Sequence, residues 1–318
     1  MCEASSQNLI QPRLFKSHED YERFLQNAAA EWFNNRGYKT QEGKKAYILD
    51  QSDMWLENII CSDVRDYLSE KPHEKEIDIH EWAHSGVSSQ AMAFNLLGPL
   101  VKRKDFKPLQ KALAEKNIKW SGGKNSEAYF EYKEHKLFKE DHLHPTSIDM
   151  YLKGESGDSL FIEVKLKEPE FGGCSIFSRG DCEGRNPYPG RLSHCYLHNA
   201  RRTYWQKFDE LEFYKSRLAN GEICPFANYY QFFREVMFAL CKEGTFILLH
   251  DDRNPAFLRR ADDGTVQGGL WPFLYESIPP RWQNRVGRLS IQSLVKEIQE
   301  SPKHQDWIYE FKEKYGLK

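Results

Sequence analysis

The 318-residue sequence has no long hydrophobic run, no export-signal pattern and no excess of positive charge. No stretch approaches the ~18 apolar residues of a membrane span, so we expect no transmembrane helix. The N-terminus lacks the basic and apolar blocks of a signal peptide, and the seven scattered cysteines then favour the reducing cytoplasm. Because the net charge is −2, any nucleic-acid site must be a local patch rather than a global field.

The composition is that of a globular protein, with 40% hydrophobic and 14% aromatic residues. There are no internal repeats and no low-complexity segment. We predict three regions. A helical N-terminal region, 1–85, packs on a core, 86–255, which carries an insert at 171–226. A helical C-terminal extension, 256–318, follows.

Two alternating runs in the middle of the chain flank a turn-forming cluster, which predicts a β-hairpin. Pairing of Lys153 with Ser159 across a five-residue loop sets the register. Asp149 then lies opposite Glu163, on the face that Lys165 shares. Two neighbouring carboxylates suit Mg²⁺ (or Mn²⁺), and an adjacent lysine can orient a water molecule for attack on a phosphate.

The elements around the hairpin follow a definite order. A capped helix is predicted from Ser88 to near Gly98, and a strand over 129–134 leads into the hairpin. An amphipathic helix over 229–240 and a buried apolar strand over 245–250 come after it. The predicted order is therefore helix, three strands, helix, strand.

This order, with the pattern Asp149-x13-Glu163-Val164-Lys165, resembles the PD-(D/E)XK nuclease superfamily, with Ile148 where the family's name has proline. The resemblance implies an α/β (α+β) fold with an αβββαβ restriction-endonuclease-like core and a mixed central sheet. It also implies a Mg²⁺-dependent DNA endonuclease. Asp149, Glu163 and the Val164 carbonyl would hold the ion, and Lys165 would position the nucleophile.

Over residues 80–255 the chain is similar to a group of uncharacterised bacterial restriction endonucleases. The motifs that carry this similarity, besides the acidic pair, are Ser88–Asn95, Cys195–Leu197, Arg202–Trp205 and Tyr230–Arg234. Gln90 stands on the helix that often contributes an acid to the site in the superfamily. Gln231 is similar to the glutamine of RecB-like nucleases, which implies contact with DNA.

The insert combines cysteines, arginines and aromatic residues. No cysteine pair has CxxC spacing, so two interpretations stay open for its thiols: ordinary buried cysteines, or a structural zinc ion or iron–sulfur cluster. The cysteines concerned are Cys174, Cys182, Cys195 and Cys224. Positive charge interleaved with aromatic rings is typical of a DNA-contacting surface. The predicted contacts are Arg185, Arg191, Arg201, Arg202 and, on the following helix, Arg234.

Two other functions compete with the nuclease. The segment from His80 to His84 fits HExxH, the zinc metallopeptidase pattern, but the Ser- and Gly-containing residues that follow it favour a polar, histidine-rich turn. A nuclease fold without activity that only binds DNA is the other alternative. A homodimer is a further hypothesis, because cutting both strands often calls for two active sites.

Overall fold

The computed structural model describes residues 14–70, 77–142 and 145–317. Four helices come first: α1 (His18–Asn35), α2 (Ser62–Glu70), α3 (Ser89–Lys102) and α4 (Lys107–Ala114). Strands β1 (Glu127–Glu134), β2 (Thr146–Lys153) and β3 (Ser159–Lys165) follow them. The insert holds the short helices α5 (Ser175–Ser178), α6 (Tyr196–Asn199) and α7 (Tyr204–Glu210), before α8 (Pro225–Cys241) and β4 (Thr245–His250). The chain continues with β5 (Arg259–Arg260), β6 (Val266–Gly268), α9 (Leu270–Tyr275), β7 (Val286–Ser290), α10 (Ile291–Gln299) and α11 (Ile308–Lys314).

Five strands form a mixed central sheet in the order β1-β2-β3-β4-β7. The first three strands are antiparallel, whereas β4 runs parallel to both β3 and β7. Lys153 pairs with Ser159, so the predicted hairpin register is confirmed. The predicted fold class and the order of its elements are confirmed as well.

The C-terminal region differs from the expected helical extension, because β7 adds a fifth strand to the sheet beside β4. Its segment is short and includes Gly287 and Arg288, so it lacks the alternation that marks a strand in sequence. Helix α3 also continues past Gly98 and Pro99 to Lys102. Gly98 lies against Val64, where a Cβ would come within 2.8 Å of that side chain, so glycine lets α2 and α3 pack closely. The domain boundaries stay predictions.

Each face of the sheet carries its own hydrophobic cluster. Side chains of α1, α3, α10 and α11 pack with Met150, Ile162 and Val164 on one face. On the other face an aromatic cluster from α7 and α8 packs with Phe161 and Phe246. Strand β4 is buried on both faces, which explains its continuous apolar sequence, and β3 is also buried on both faces although it carries Glu163 and Lys165.

The N-terminal region is fixed to the end of β3. Ser17 caps α1 by accepting a hydrogen bond from the Asp20 backbone N–H at 3.1 Å. The Tyr21 hydroxyl donates to the Leu166 carbonyl at 2.8 Å, just beyond β3. Within the described ranges, no helix combines the length and apolar character needed to cross a membrane.

Candidate active site where β2 and β3 separate

Three carboxylate residues lie side by side on three neighbouring strands. Glu131 and Asp149 lie between the paired positions Phe130–Met150 and Tyr132–Ile148 of β1 and β2. The β2–β3 pairing runs from Lys153–Ser159 to Met150–Ile162 and ends one position before Asp149 and Glu163. The carboxylates therefore stand where the two strands stop exchanging backbone hydrogen bonds, at a place where the sheet can open toward a ligand.

Asp149 is partly exposed and accepts a hydrogen bond from the Val164 backbone N–H at 2.7 Å. Burial raises the pKa of Asp149 well above its usual value, and the nearby charges of Glu163 and Glu131 raise it further. Lys165 and the Val164 N–H lower the pKa of Asp149, but they do not offset these effects. The site therefore holds more negative charge than its own cations balance.

Glu131 was not predicted from the sequence. Its backbone φ of +50° interrupts the alternation of β1. As a result, the rings of Tyr129 and Tyr132, three positions apart, lie on the same face, with centroids 6.3 Å apart. The Glu131 carboxylate accepts from the Gln90 amide at 2.7 Å. Burial raises the pKa of Glu131 to about 7; the Gln90 bond opposes this shift and the charge of Glu163 adds to it.

Lys165, Glu163 and Gln231 form a closed polar triangle. The Lys165 Nζ lies 2.9 Å from a Glu163 oxygen and donates to the Gln231 side-chain oxygen at 3.0 Å. The Gln231 amide donates to the same Glu163 oxygen at 2.7 Å. Burial lowers the pKa of Lys165, but Glu163 and the other nearby carboxylates raise it more, and the net shift is upward. Lys165 is therefore a cation in the folded protein.

Glu235 follows Gln231 by four residues on α8 and is fully buried. Neither carboxylate oxygen has a hydrogen-bond partner among the described residues. Burial raises the pKa of Glu235 well above its usual value, and the charge of Glu163 raises it further. The residue was also missed in the sequence, where its only signal was its spacing of one helical turn from Gln231.

Gln90 reaches the site from the first turn of α3, which Ser88 caps by accepting from the Ala91 backbone N–H at 3.3 Å. Its amide also donates to the Asp78 carbonyl at 2.8 Å, and its oxygen accepts from the His80 backbone N–H at 2.9 Å. Gln90 therefore links the loop before α3 to the carboxylate of Glu131.

The HExxH segment does not form a zinc site. Residues 81–84 make a turn, and the ring of Trp82 stacks on His84 with centroids 5.8 Å apart. The His80 ring nitrogen accepts from the Trp82 backbone N–H at 3.2 Å. The motif needs both histidines on one helix face, so the metallopeptidase alternative fails on this geometry.

Over the described ranges, no three or more His, Cys, Asp or Glu side chains are arranged to share one metal ion. The resemblance implies a different ligand set, with only two such side chains, those of Asp149 and Glu163. The third protein ligand in that set is the Val164 backbone carbonyl. Hard oxygen donors with unbalanced negative charge fit Mg²⁺, which prefers one or two carboxylates and keeps several waters.

The predicted DNA contacts have mixed surroundings. Arg185 is exposed and pairs with Glu183 at 3.0 Å, and Arg191 is exposed. The Arg234 guanidinium lies 3.9 Å from Glu140, and 18% of its side chain is exposed. Arg234 is thus engaged inside the protein, whereas the first two arginines face solvent.

Arg201 and Arg202 line a surface pocket with Lys139 and His198, beside the rings of Tyr188 and Trp205. We call this the basic–aromatic pocket. Arg202 pairs with Asp141 at 2.6 Å, whereas Arg201 is exposed. Contact of these arginines with DNA stays a prediction. The four insert cysteines line a second, apolar pocket.

One comparison with known proteins gives a match. The family model described as Restriction Endonuclease associating with ARP matches residues 26–316. No curated protein and no solved structure matches the chain. The family match spans both the strands of the carboxylate cluster and the helices that enclose it, and it agrees with the mixed sheet. The chain belongs to the restriction endonuclease family that associates with ARP.

Proposed function

We propose that the protein is a Mg²⁺-dependent DNA endonuclease of the PD-(D/E)XK type, with its active site at Asp149, Glu163 and Lys165. The observation that carries this proposal is the crowding of Glu131, Asp149 and Glu163 on three adjacent strands. Burial raises the pKa of Asp149 and of Glu131, and the charge of Glu163 raises both further. Strongly perturbed carboxylates beside a buried lysine are typical of catalytic sites.

In this proposal Asp149, Glu163 and the Val164 carbonyl hold the ion. Bound there, Mg²⁺ would lower the pKa of a water molecule and offset charge on the phosphate under attack. Glu131 adds negative charge beside Asp149, and Gln90 fixes its orientation through the 2.7 Å hydrogen bond. Asp149 and Glu163 would thus bind the ion directly, whereas Glu131 would attract it through its negative charge.

Lys165 acts as a donor. Because Glu163 and its neighbours keep it protonated, it cannot remove a proton from water. Its Nζ can instead orient the attacking water or a phosphate oxygen, and it adds positive charge as negative charge develops. Gln231 bonds both Glu163 and Lys165, so it positions the pair.

DNA is the proposed substrate, in line with the family. The basic–aromatic pocket, with Arg185 and Arg191, supplies positive charge for phosphates. The family description names an association with ARP, so we also propose an ARP partner for this chain. Action in the cytoplasm and pairing of two copies to cut both strands remain predictions.

Cleavage of supercoiled plasmid with Mg²⁺ or Mn²⁺ tests the proposal. Asp149→Asn and Lys165→Met should each lower the rate about 10³-fold or more, because each removes a charge that acts in the transition state. Glu127→Gln and Lys153→Met are matched controls, since these residues form an exposed ion pair at 3.2 Å at the far ends of β1 and β2. Equal cleavage by wild type and Lys165→Met would refute the site. DNA binding without cleavage under any divalent metal would favour the inactive alternative.

A further inference from the structure

The basic–aromatic pocket lies on the side of the sheet where β2 and β3 separate. Strand β2 extends from Asp149 back to Thr146, about 10 Å away at the rise of an extended strand, and this part of β2 is not paired with β3. The Thr146 backbone N–H donates to the Glu140 carboxylate at 2.6 Å. Lys139, which precedes Glu140, lines the pocket. The distance from the carboxylates to the pocket is therefore one that a few nucleotides of a single strand can span.

The pocket and Lys165 also lie on the same face of the sheet. Phe138, next to Lys139, packs in the aromatic cluster that includes Phe161 of β3, and Trp205 of the pocket wall belongs to the same cluster. Phe161 and Lys165 share one face because they are four positions apart on a strand. A DNA strand that crosses the carboxylates can therefore reach the pocket without passing to the other face.

Two exposed cations of the pocket stand at backbone positions that usually hold glycine. Lys139 has a φ of +53° and Arg201 a φ of +60°, both in the left-handed region. Arg201 follows α6, and the Arg202 N–H donates back to the Leu197 carbonyl at 2.9 Å, as at a helix end closed by glycine. Within the described ranges, no carboxylate pairs with the side chain of Lys139 or Arg201. Exposed cations kept at strained positions without a neutralising partner point to an anionic ligand.

Aromatic rings form another part of the pocket wall. Tyr188 stacks on Trp205 with centroids 6.0 Å apart and on Tyr214 with centroids 6.3 Å apart. The Tyr188 hydroxyl donates to Asp209 at 2.5 Å, which fixes the ring. The pocket has a volume of about 570 Å³, within the range of about 300–1,000 Å³ that is typical of small-molecule sites. Fixed rings beside unneutralised cations are the combination that binds an unpaired base and its phosphate.

We propose that the basic–aromatic pocket receives one unpaired nucleotide of the DNA strand that crosses the carboxylate cluster. The base stacks on Tyr188, and the phosphate pairs with Lys139 and Arg201. A paired base is held inside the duplex and cannot enter a pocket, so the site selects DNA with an unpaired or extruded nucleotide near the bond to be cut. This inference rests on the proposed action on DNA and specifies the class of DNA substrate.

The test compares the affinity of the full chain for two labelled duplexes of one sequence, one fully paired and one with a single-nucleotide bulge. Binding is measured without divalent metal, so that no strand is cut. We expect the bulged duplex to bind about 10-fold tighter or more, as one stacked base provides. Tyr188→Leu should bring the ratio of the two affinities close to that of equal binding.

Glycine substitutions separate binding from folding. Lys139→Gly and Arg201→Gly should each lower the ratio of affinities by about threefold or more, because the phosphate loses a cation. Both variants should keep or raise the melting temperature, since glycine suits a left-handed backbone. Lys104→Gly is the matched control, because it removes an exposed lysine at a φ of +46° outside the pocket, and it should keep the wild-type ratio.

Equal affinities of the wild type for the two duplexes, weak or tight, would overturn the pocket, as would an unchanged ratio in Arg201→Gly. If deoxyadenosine monophosphate binds the wild type but not Arg201→Gly in calorimetry, while the two duplexes bind equally, the pocket takes a free nucleotide and the proposal is overturned. Lys165→Met should keep the wild-type ratio, so the pocket and the nuclease site can fail independently.

Discussion

Two groups of carboxylates, one centred on Asp149 in β2 and one at Asp251 beyond β4, have opposite electrostatics. Asp251, just beyond β4, accepts from the Arg253 guanidinium at 2.6 Å and from the Gln292 amide at 2.6 Å. Burial alone would raise the pKa of Asp251, but Arg253 outweighs burial and the net shift is downward. Asp149 has only a backbone N–H and a lysine shared with Glu163, and its pKa is raised.

The difference shows that this fold can neutralise a buried carboxylate where it uses one for stability. The cluster at Asp149 lacks such neutralisation, so its repulsion costs stability until a cation arrives. Unbalanced charge kept in place by the surrounding structure is typical of functional sites. We call Asp251 with Arg253 the balanced group, and Glu131, Asp149 and Glu163 the unbalanced group. Substitutions in each group test the contrast between them.

Breaking the balanced group should have the largest effect. Arg253→Met leaves Asp251 charged and buried and removes hydrogen bonds to the Tyr315 and Gly316 carbonyls. We expect a loss of about 3–5 kcal/mol in the free energy of unfolding, measured with urea. Arg260→Met is the control, because its ion pair with Asp252, at 3.4 Å, is more exposed and should cost about 1 kcal/mol or less. Equal losses in both variants would contradict the comparison.

Relieving the unbalanced group should stabilise the protein. The folded pKa of Glu131, about 7, lies above its unfolded value, so folding retains a proton between these two values. Stability is therefore lost as pH rises through this window, and the full cost is present above pH 7. Glu131→Gln should raise the free energy of unfolding by about 2 kcal/mol at pH 8 and leave it unchanged at pH 4.

Glu134→Gln, on the same strand, provides the opposite sign. Burial raises the pKa of Glu134, but the Lys242 ammonium, 2.8 Å away, and the backbone N–H groups of Lys136 and Leu137 together lower it more. Its contribution is present above the unfolded pKa and is lost in acid, so this variant should be less stable than wild type at pH 8. Destabilisation by both substitutions would refute the electrostatic account of Glu131.

Addition of Mg²⁺ should sharpen the comparison without a mutation. Ionised carboxylates bind the ion, and the raised pKa values of Asp149 and Glu131 make protons compete with it. Mg²⁺ should therefore raise the melting temperature at pH 8 by a few degrees and have little effect at pH 5.5. Asp149→Asn should abolish the increase, whereas Glu127→Gln should retain it. An increase of the same size at both pH values would contradict the prediction.

The smallest effect is expected outside the cluster. Arg201→Ala should weaken DNA binding and reduce the slope of log affinity against log salt concentration by about 1, because one phosphate contact is lost. Lys153→Met should leave that slope unchanged. If Arg201→Ala leaves the slope of log affinity against log salt concentration unchanged, the basic–aromatic pocket is not part of the DNA-binding surface.

The hairpin with Asp149 and Glu163 could be predicted because the loop length and the alternation fix its register locally. Glu131 could not be predicted, because its place beside Asp149 depends on a positive backbone φ. The sequence has no glycine or asparagine there to indicate such a conformation. Glu235 enters the site only through the packing of α8. The histidines of 80–84 gave a false signal, because a five-residue match does not contain the information that the segment turns. The sequence left open whether the four insert cysteines come together, because that depends on contacts across the whole insert, and the structure places all four around one pocket.

The hydrogen bond from Tyr21 to the Leu166 carbonyl fixes helix α1 to the chain just beyond β3. Lys165 immediately precedes that carbonyl, and Arg253 ties the chain's last described turn to the neighbouring strand. Helix α1 and the turn at Tyr315 and Gly316 are thus both bonded to the chain just beyond the central strands β3 and β4. Loss of either contact, by Tyr21→Phe or Arg253→Met, should therefore disturb the ends of β3 and β4 without changing any residue of the carboxylate cluster.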